Sequence, residues 1–276
     1  MIYKRQKLLL QIAQTLSDNN IKSKTYLVKA IFLLKQRFGN EHIDYDFFPY
    51  KHGPFSNEIY QDFNLLKTLG LFDQENLYPT KEGKKLIEDN KRNNFVFDEL
   101  KSIISNFNSR KKLVDFVYHK YPEFTIRSEE KPKVNIKENG IFSIGYEGKT
   151  IDFFLNELIQ NNISLLIDVR KNAFSMKKNF SKNHLIKCLK NSGINYLHFP
   201  ELGIDSDKRK NLETVKDYQK LFEEYKQNLE AKKQEITKIK ELGQTQKIAL
   251  MCFEADKNFC HRGILSDFLN QKVVHI

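Results

Sequence analysis

The sequence predicts a mainly helical unit followed by an α/β unit, the latter a mostly parallel open sheet with helices on both faces. Three observations carry that reading. Through about the first 90 residues, apolar positions recur at helical spacing. From Ile141 onward, short apolar runs alternate with amphipathic stretches, the order of successive βαβ units. Between the two lies Arg127 to Gly140, RSEEKPKVNIKENG, charged and nearly without apolar residues, which reads as a flexible linker. The expected divisions are therefore 1–90, a helical connector and linker over 91–138, and 139–276.

The first unit opens with Leu8, Leu9, Ile12, Ala13 and Leu16 on one face of a helix. Ser23 or Lys24 starts a second helix, stopped by Gly39. Tyr45 to Tyr50 reads as an aromatic strand, and Lys51-His52-Gly53-Pro54 as a turn. Ser56 then caps a third helix that ends at Gly70. Leu71-Phe72 and Leu77-Tyr78 flank Asp73 to Asn76 as a small hairpin, and Thr80 caps a helix over Lys81 to Asp89. Two further helices, around Phe95 to Phe107 and Leu113 to Tyr118, fill the connector up to Pro122.

Helices followed by a short hairpin suggest a winged-helix module. Tyr50, Gly53, Pro54, Ser56, Tyr60, Leu66, Gly70 and Leu71 also resemble the signature of YwgA-like and Panacea (SocA-like antitoxin) domains, over about residues 5 to 90. That resemblance implies DNA binding or protein pairing. In a DNA-binding reading the helix from Ser56 would enter the major groove, presenting Asn57, Gln61, Asn64 and Lys67, with the wing near Asp73 to Asn76. A set so poor in arginine predicts weak or non-specific contact. The Gly-Pro pair itself is ordinary turn chemistry.

In the second unit, Ile141 to Ile144 is a strand, Gly145-Tyr146-Glu147-Gly148 a tight loop, and Asp152 to Gln160 a helix. Ser164 to Val169 is a buried strand ending in Asp168 and Arg170. Leu185 to Asn191 is a helix, Asn195 to Phe199 a strand, and Tyr218 to Leu242 one long helix interrupted by charge. Lys247 to Cys252 is a short apolar run best read as a strand. A polar turn follows, with Asp256 or Asn258 capping a helix that carries Ile264, Leu265, Phe268 and Leu269; Val273 to Ile276 closes the sheet.

Glu254, Cys260, His261 and Arg262 fall within nine residues at that turn. A helix start offers unpaired N–H groups and partial positive charge, which favour anions and lower a thiol's pKa. Arg262 adds a forked donor. Strand carboxyl ends are where open α/β sheets bind ligands. Gly145, Tyr146, Glu147, Asp168, Arg170, Glu201 and the Glu254 to Arg262 segment are therefore expected to line one crevice.

Residues 139–276 resemble the DUF488 family in Ile-Gly-Tyr-Glu-Gly (144–148), Ile-Asp-Val-Arg (167–170), Leu-Gly (202–203), Cys-x-Glu-x-Asp-x-x-Phe-Cys-His-Arg (252–262) and Val-His-Ile (274–276). The resemblance implies an α/β fold with a polar cleft. It also implies a proline three residues after Arg170, where this chain has Ala173 while keeping Ser175.

Composition bounds what such a site could serve. The net charge of +11 is spread over both halves, which permits nucleic-acid binding without demanding it. No apolar run approaches the roughly 20 residues of a membrane span and no signal peptide is evident, so the expectation is a cytoplasmic protein without a membrane partner. The 3 cysteines include no CxxC pair, and adjacent Cys260 and His261 look ill placed to share one ion; no metal or cofactor is expected.

These groups suggest a hydrolase or transferase acting on a phosphate-bearing small molecule, a nucleotide or a nucleic-acid component. Arg170, Arg262 and Ser175 would hold the anion, Asp168 and Glu254 would act as nucleophile or general base, His261 as acid or base, and Cys260 as an alternative nucleophile. The competing reading is a ligand-sensing DNA-binding regulator or an antitoxin-like partner that pairs through its first unit, in bacterial defence or a toxin–antitoxin system. If Asp168 and Glu254 lie apart, or are both held by arginine, that second reading gains. A rhodanese-like cysteine enzyme, suggested by Asp-Val-Arg and Cys252, fits less well because Cys252 and Arg262 are ten residues apart.

Overall fold

Helical spacing in the first unit produces the helices it predicts. The computed structural model describes residues 2–73, 76–88, 94–129, 138–177, 179–209, 212 and 214–276. The chain divides into two units, Met1–Lys133 and Val134–Ile276. In the first, α1 (Lys4–Asp18) and α2 (Lys24–Phe38) bury Leu9, Leu10, Ile12, Ala30, Ile31 and Leu34 against each other. Ser23 caps α2 by accepting the Tyr26 N–H at 3.3 Å. Helix α3 (Asn57–Thr68) starts at Ser56, whose hydroxyl accepts the Ile59 N–H.

Three details of this unit differ from expectation. The predicted Lys51–Pro54 turn is a hairpin: β1 (Phe48–Tyr50) pairs antiparallel with β2 (Gly53–Phe55), placing Pro49 opposite Pro54. Neither proline has an N–H to offer a ladder, so they face each other at a pair that needs none. Gly53 takes a φ of 82°, and the buried Lys29 ammonium donates to the Pro54 carbonyl at 2.8 Å. The hairpin expected around Asp73 to Asn76 reduces, among the described residues, to one bridge between Phe72 and Pro79; residues 74–75 of that wing lie outside the described set. Finally, helices on both sides of the expected division at residue 90 share one core. Helices α5 (Asn94–Asn106) and α6 (Arg110–Lys120), which follow α4 (Lys81–Glu88), send Val96, Leu100, Ile103, Leu113 and Val117 into the same core as α1 and α2. Residues 130–137 of the expected linker lie outside the described set.

The second unit is a parallel α/β sheet. Its elements are β3 (Gly140–Gly145), α7 (Ile151–Gln160), β4 (Leu165–Asp168), α8 (Lys182–Asn191), β5 (Asn195–His198), α9 (Val215–Leu229), α10 (Lys233–Thr245), β6 (Lys247–Cys252), α11 (His261–Phe268) and β7 (Val273–His275). The strand order is β5-β4-β6-β3-β7, and every described pairing is parallel. The single helix expected over Tyr218 to Leu242 is two, parted at Glu230–Lys232.

Alternation along the strands decides what each face carries. Leu165, Ile167, Ile248, Leu250 and Cys252 share a core with Leu221, Tyr225 and Leu229 of α9, Ile236 and Ile239 of α10, and Leu265 and Leu269 of α11. Leu166, Asp168, Ala249 and Met251 occupy the alternate positions, and all four are fully buried. Asp168 is in register with Met251, so its side chain leaves the sheet on the side opposite Cys252. Among the described residues no helix is long and apolar enough to cross a membrane.

Candidate functional site

The sheet's carboxyl edge is crowded by backbone as well as by side chains. A methyl group on Gly145 would lie 1.9 Å from the Glu254 carbonyl, so the end of β3 and the turn after β6 are in direct contact. Likewise a methyl on Gly203 would lie 2.0 Å from the Lys171 nitrogen. Glycine is required at both places because two main chains meet there. The expected crevice is consequently two separate groups of side chains.

One group surrounds the buried ion pair of Asp168 and Arg170. The Arg170 Nε and Nη2 donate to the two Asp168 oxygens at 2.8 and 2.6 Å, while Nη1 donates to the Tyr146 hydroxyl and the Phe180 carbonyl. Tyr196 donates its hydroxyl to Asp168 at 2.8 Å. Tyr146 stacks on Phe180 at 4.4 Å. Burial alone would lower the Arg170 pKa, but its bonds with Asp168 more than offset this and raise it. Asp168 is 0% exposed and Arg170 6%. Asp168, expected as nucleophile or base, and Arg170 and Tyr146, expected as anion-binding residues, each face a protein partner here. Ser175 and Glu147 shape turns, the Ser175 hydroxyl accepting the Lys177 N–H and the Glu147 carboxylate accepting the Ala255 N–H.

The other group gathers around the end of β6. His261 Nε2 lies 3.0 Å from the Val169 carbonyl, which can only accept, so this nitrogen carries the proton and Nδ1 presents a lone pair. Nδ1 stands 3.6 Å from the Cys252 sulfur and 2.6 Å from Arg209 Nη2. The Cys252 thiol donates to Glu254 Oε2 at 3.3 Å, and Glu254 Oε1 pairs with Arg209 Nη1. Burial would raise the Glu254 carboxyl, but the Arg209 charge together with hydrogen bonds from the neighbouring thiols and backbone holds the group below the usual carboxylate range. Cys252, Cys260 and His261 offer three ligand-type atoms within 4.8 Å of one another.

The residues of this turn are arranged differently from the sequence expectation. Cys260 does sit at the start of α11, but it is fully buried, and burial pushes its thiol up rather than letting the helix end lower it. Arg262, 2% exposed, donates through Nη1 and Nη2 to the Glu254 and Ala255 carbonyls, so it braces the turn instead of receiving an anion. Asp256 caps the short 3-10 turn Lys257–Phe259 before α11 rather than the helix itself. Cys260 is extended (φ −127°) and His261 opens the helix, and their side chains converge.

From the sequence, Cys252 enters only through the family motif and the rhodanese-like reading, and Arg209 does not enter at all. Cys252 had a signal: it shares strand period with Ile248 and Leu250 and so faces α9 and α11. Arg209 had none, being 45 residues from Glu254 with no local pattern.

Two clefts border these groups. A cleft of about 270 Å³ is lined by Lys171, Glu201, Lys208 and Tyr225 among others, and Tyr225 meets the His261 ring edge-on at 5.4 Å. A second, of about 590 Å³, is lined by Lys171, Asn172, Phe174, Ser181, Lys182, His184 and His198, with no Asp or Glu among the described residues that line it. Phe174 there is 67% exposed. Val169 and Arg170 tie the regions together, since their successive carbonyls meet His261 and His198.

In the first unit, Asn64 is exposed and Asn57, Gln61 and Lys67 are partly so. The Lys67 ammonium lies over the Phe63 ring at 5.0 Å. Leu65 and Leu69 are exposed on the same turns.

Residues 150–269 match a family model described as a domain of unknown function, DUF488. The matched stretch contains the motifs at 167–170, 202–203 and 252–262, and leaves out those at 144–148 and 274–276. Comparisons with curated proteins and with solved structures found no match.

Proposed function

We propose, starting from a C-terminal unit that carries a DUF488 domain, that the protein is a hydrolase or transferase acting on a phosphate-bearing nucleotide or nucleic-acid component. The reactive centre in this reading is Cys252, Glu254, Cys260 and His261. The observation that carries it is the His261 imidazole, whose tautomer is fixed by a backbone carbonyl so that its lone-pair nitrogen faces the Cys252 thiol and the Arg209 guanidinium, while the same thiol donates to the Glu254 carboxylate. Two proton acceptors beside a nucleophile at a sheet's carboxyl edge suit acid–base or nucleophilic chemistry better than packing.

The acid-free cleft supports the substrate class. Lys171, Lys182 and His184 supply donors for phosphate, and the exposed Phe174 ring offers a stacking face for a base. The test is a thermal-shift screen of nucleotides, phosphosugars and short single- and double-stranded DNA against wild type and Lys182→Ala. Stabilisation of the wild type that weakens in the variant supports this cleft; equal shifts in both proteins remove it.

A second reading, a cytoplasmic ligand-sensing regulator or antitoxin-like partner, is favoured by one observation. Both acidic candidates are arginine-held, Asp168 by Arg170 and Glu254 by Arg209. In this reading the N-terminal unit acts as a winged-helix-like partner domain. Asn57, Gln61, Asn64 and Lys67 would touch DNA, and exposed Leu65 and Leu69 on the same helix would suit a protein surface instead. Ligand binding without chemical conversion in the screen would select it.

A further inference from the structure

We infer that Cys252, Cys260 and His261 form a three-ligand site for a zinc-type divalent cation, open on its fourth side toward Glu254. The inference rests on the reading of this cluster as the reactive centre and gives it a metal.

The donor geometry is already close to what the ion requires. With zinc–sulfur bonds of about 2.3 Å and zinc–nitrogen bonds of about 2.0 Å, a tetrahedral site spaces sulfur and nitrogen by about 3.5 Å and two sulfurs by about 3.8 Å. The Cys252 sulfur and His261 Nδ1 stand 3.6 Å apart, and the Cys260 sulfur lies within 4.8 Å of both. Small side-chain rotations close the remainder. Two sulfurs and one imidazole nitrogen select zinc over magnesium or calcium, which take oxygen.

The outer shell is an independent observation. A histidine that ligates a metal donates its other ring N–H to a carboxylate or backbone carbonyl, fixing the tautomer. His261 does so to Val169, leaving Nδ1 on the cysteine side. The pocket also already holds a cation: the Arg209 guanidinium contacts both His261 Nδ1 and Glu254. Arg209 is partly exposed and closes the short 3-10 segment Ser206–Arg209, so it stands where a metal and its water would, and it must withdraw for them. Metal entry displaces the two thiol protons to solvent.

Three protein ligands and an open position are the pattern of a catalytic rather than a structural zinc site. Glu254 Oε2, 3.3 Å from the Cys252 sulfur, is placed to take a proton from water in that position; the hydroxide would add to a ring carbon bearing an amino group, Glu254 would relay the proton to the base, and the carbon–nitrogen bond would break to release ammonia and leave a carbonyl. Cys₂His ligation with a non-ligating glutamate is the donor set used to hydrolyse amino groups from nucleobases. An amino-bearing base is thus the substrate portion that this centre would act on.

The test uses the full chain, reduced, stripped with a chelator and titrated with zinc alone, then with cobalt as a spectroscopic probe. The expected result is one zinc per chain and a thiolate-to-cobalt charge-transfer band. Affinity should fall by about 100-fold or more in Cys252→Ser and His261→Ala and stay equal or rise in Arg209→Ala, where the competing cation is gone. Should either loss variant fail to fold, the wild-type cobalt spectrum decides. No stoichiometric zinc, or a Cys252–Cys260 disulfide that resists mild reduction, overturns the site. Stoichiometric zinc without turnover on any nucleotide upholds the site and counts against the hydrolase reading. Turnover that persists in the stripped protein overturns the site and leaves Cys252 as nucleophile.

Discussion

His261 Nδ1 stands 3.6 Å from the Cys252 sulfur, across the join between the last residue of the central strand and the first residue of the helix that follows the turn. That join is held from three directions. The Val169 carbonyl fixes the imidazole, Arg262 fixes the turn carbonyls, and the missing side chain of Gly145 lets the turn lie against β3.

Gly145→Ala should therefore disturb the site without touching any reactive group. Its methyl would meet the Glu254 carbonyl, which is backbone and cannot rotate away. We expect a loss of about 1–3 kcal/mol in urea unfolding of the C-terminal unit, typical of overpacking, together with loss of ligand conversion. A variant as stable and as active as wild type would mean that the turn is free to move.

The Asp168–Arg170 pair is predicted to be structural. Replacing Arg170 by Met leaves a fully buried carboxylate with only Tyr196 as side-chain partner among the described residues. Breaking a buried pair from one side costs about 3–5 kcal/mol, so the C-terminal unfolding midpoint should fall sharply. The double variant Asp168→Asn with Arg170→Met should recover part of it, because no unpaired charge remains. Equal stability of single variant and wild type, with loss of activity alone, would return Arg170 to the ligand-binding role expected from the sequence.

Alkaline pH should weaken the N-terminal unit. Burial pushes the Tyr26 hydroxyl up to about 12 from its ordinary 10.0, and Tyr45, Tyr60 and Tyr121 are raised too, in each case chiefly by burial. A folded-state pKa above the unfolded one gives stability that is complete below pH 10 and lost as pH rises toward 12. Tyr26→Phe forfeits the bond to the Phe107 carbonyl, about 1 kcal/mol at neutral pH, but should lose stability less steeply above pH 10. Parallel curves for the two proteins would contradict this.

The edge strand β7 should respond in the acid direction. Burial, with Lys257 and Arg262 nearby, lowers the His275 pKa from 6.5. As pH falls through about 6.5, the unfolded chain takes up a proton that the folded chain resists, so stability falls. His275→Gln should flatten that part of the melting-temperature profile, and an unchanged slope would assign it to another group.

Much of this was legible in the sequence because it is written in local patterns. The βαβ alternation, the Ser23 and Ser56 caps and the Cys-to-Arg motif all lie within short windows. What was missed depends on contacts across the fold or on alternation within a strand. Arg209 meets Glu254 only because α9 and α11 bring the preceding segment over the sheet's edge, and nothing near Arg209 announces it. Asp168 and Glu254 were expected to face one crevice because both follow apolar strands, but a one-residue difference in strand period sends Asp168 to the opposite side. From its neighbours Arg262 reads as an anion donor; in place, two carbonyls of its own turn accept from Nη1 and Nη2, and its buried Nε meets no acceptor among the described residues. The β1–β2 hairpin was hidden by Pro54, a residue that normally argues against a strand.

The central claim is that the cluster at the end of β6 changes its ligand chemically. The measurement is mass spectrometry of a nucleotide and oligonucleotide mixture incubated with wild type, His261→Ala, Glu254→Gln and Arg170→Lys, each first checked for folding. We predict a product that forms with wild type, falls by about 100-fold or more with the first two, and persists with Arg170→Lys wherever that variant folds. A wild type that binds one of these compounds and returns it unchanged under every metal condition would contradict the claim and make the domain a sensor.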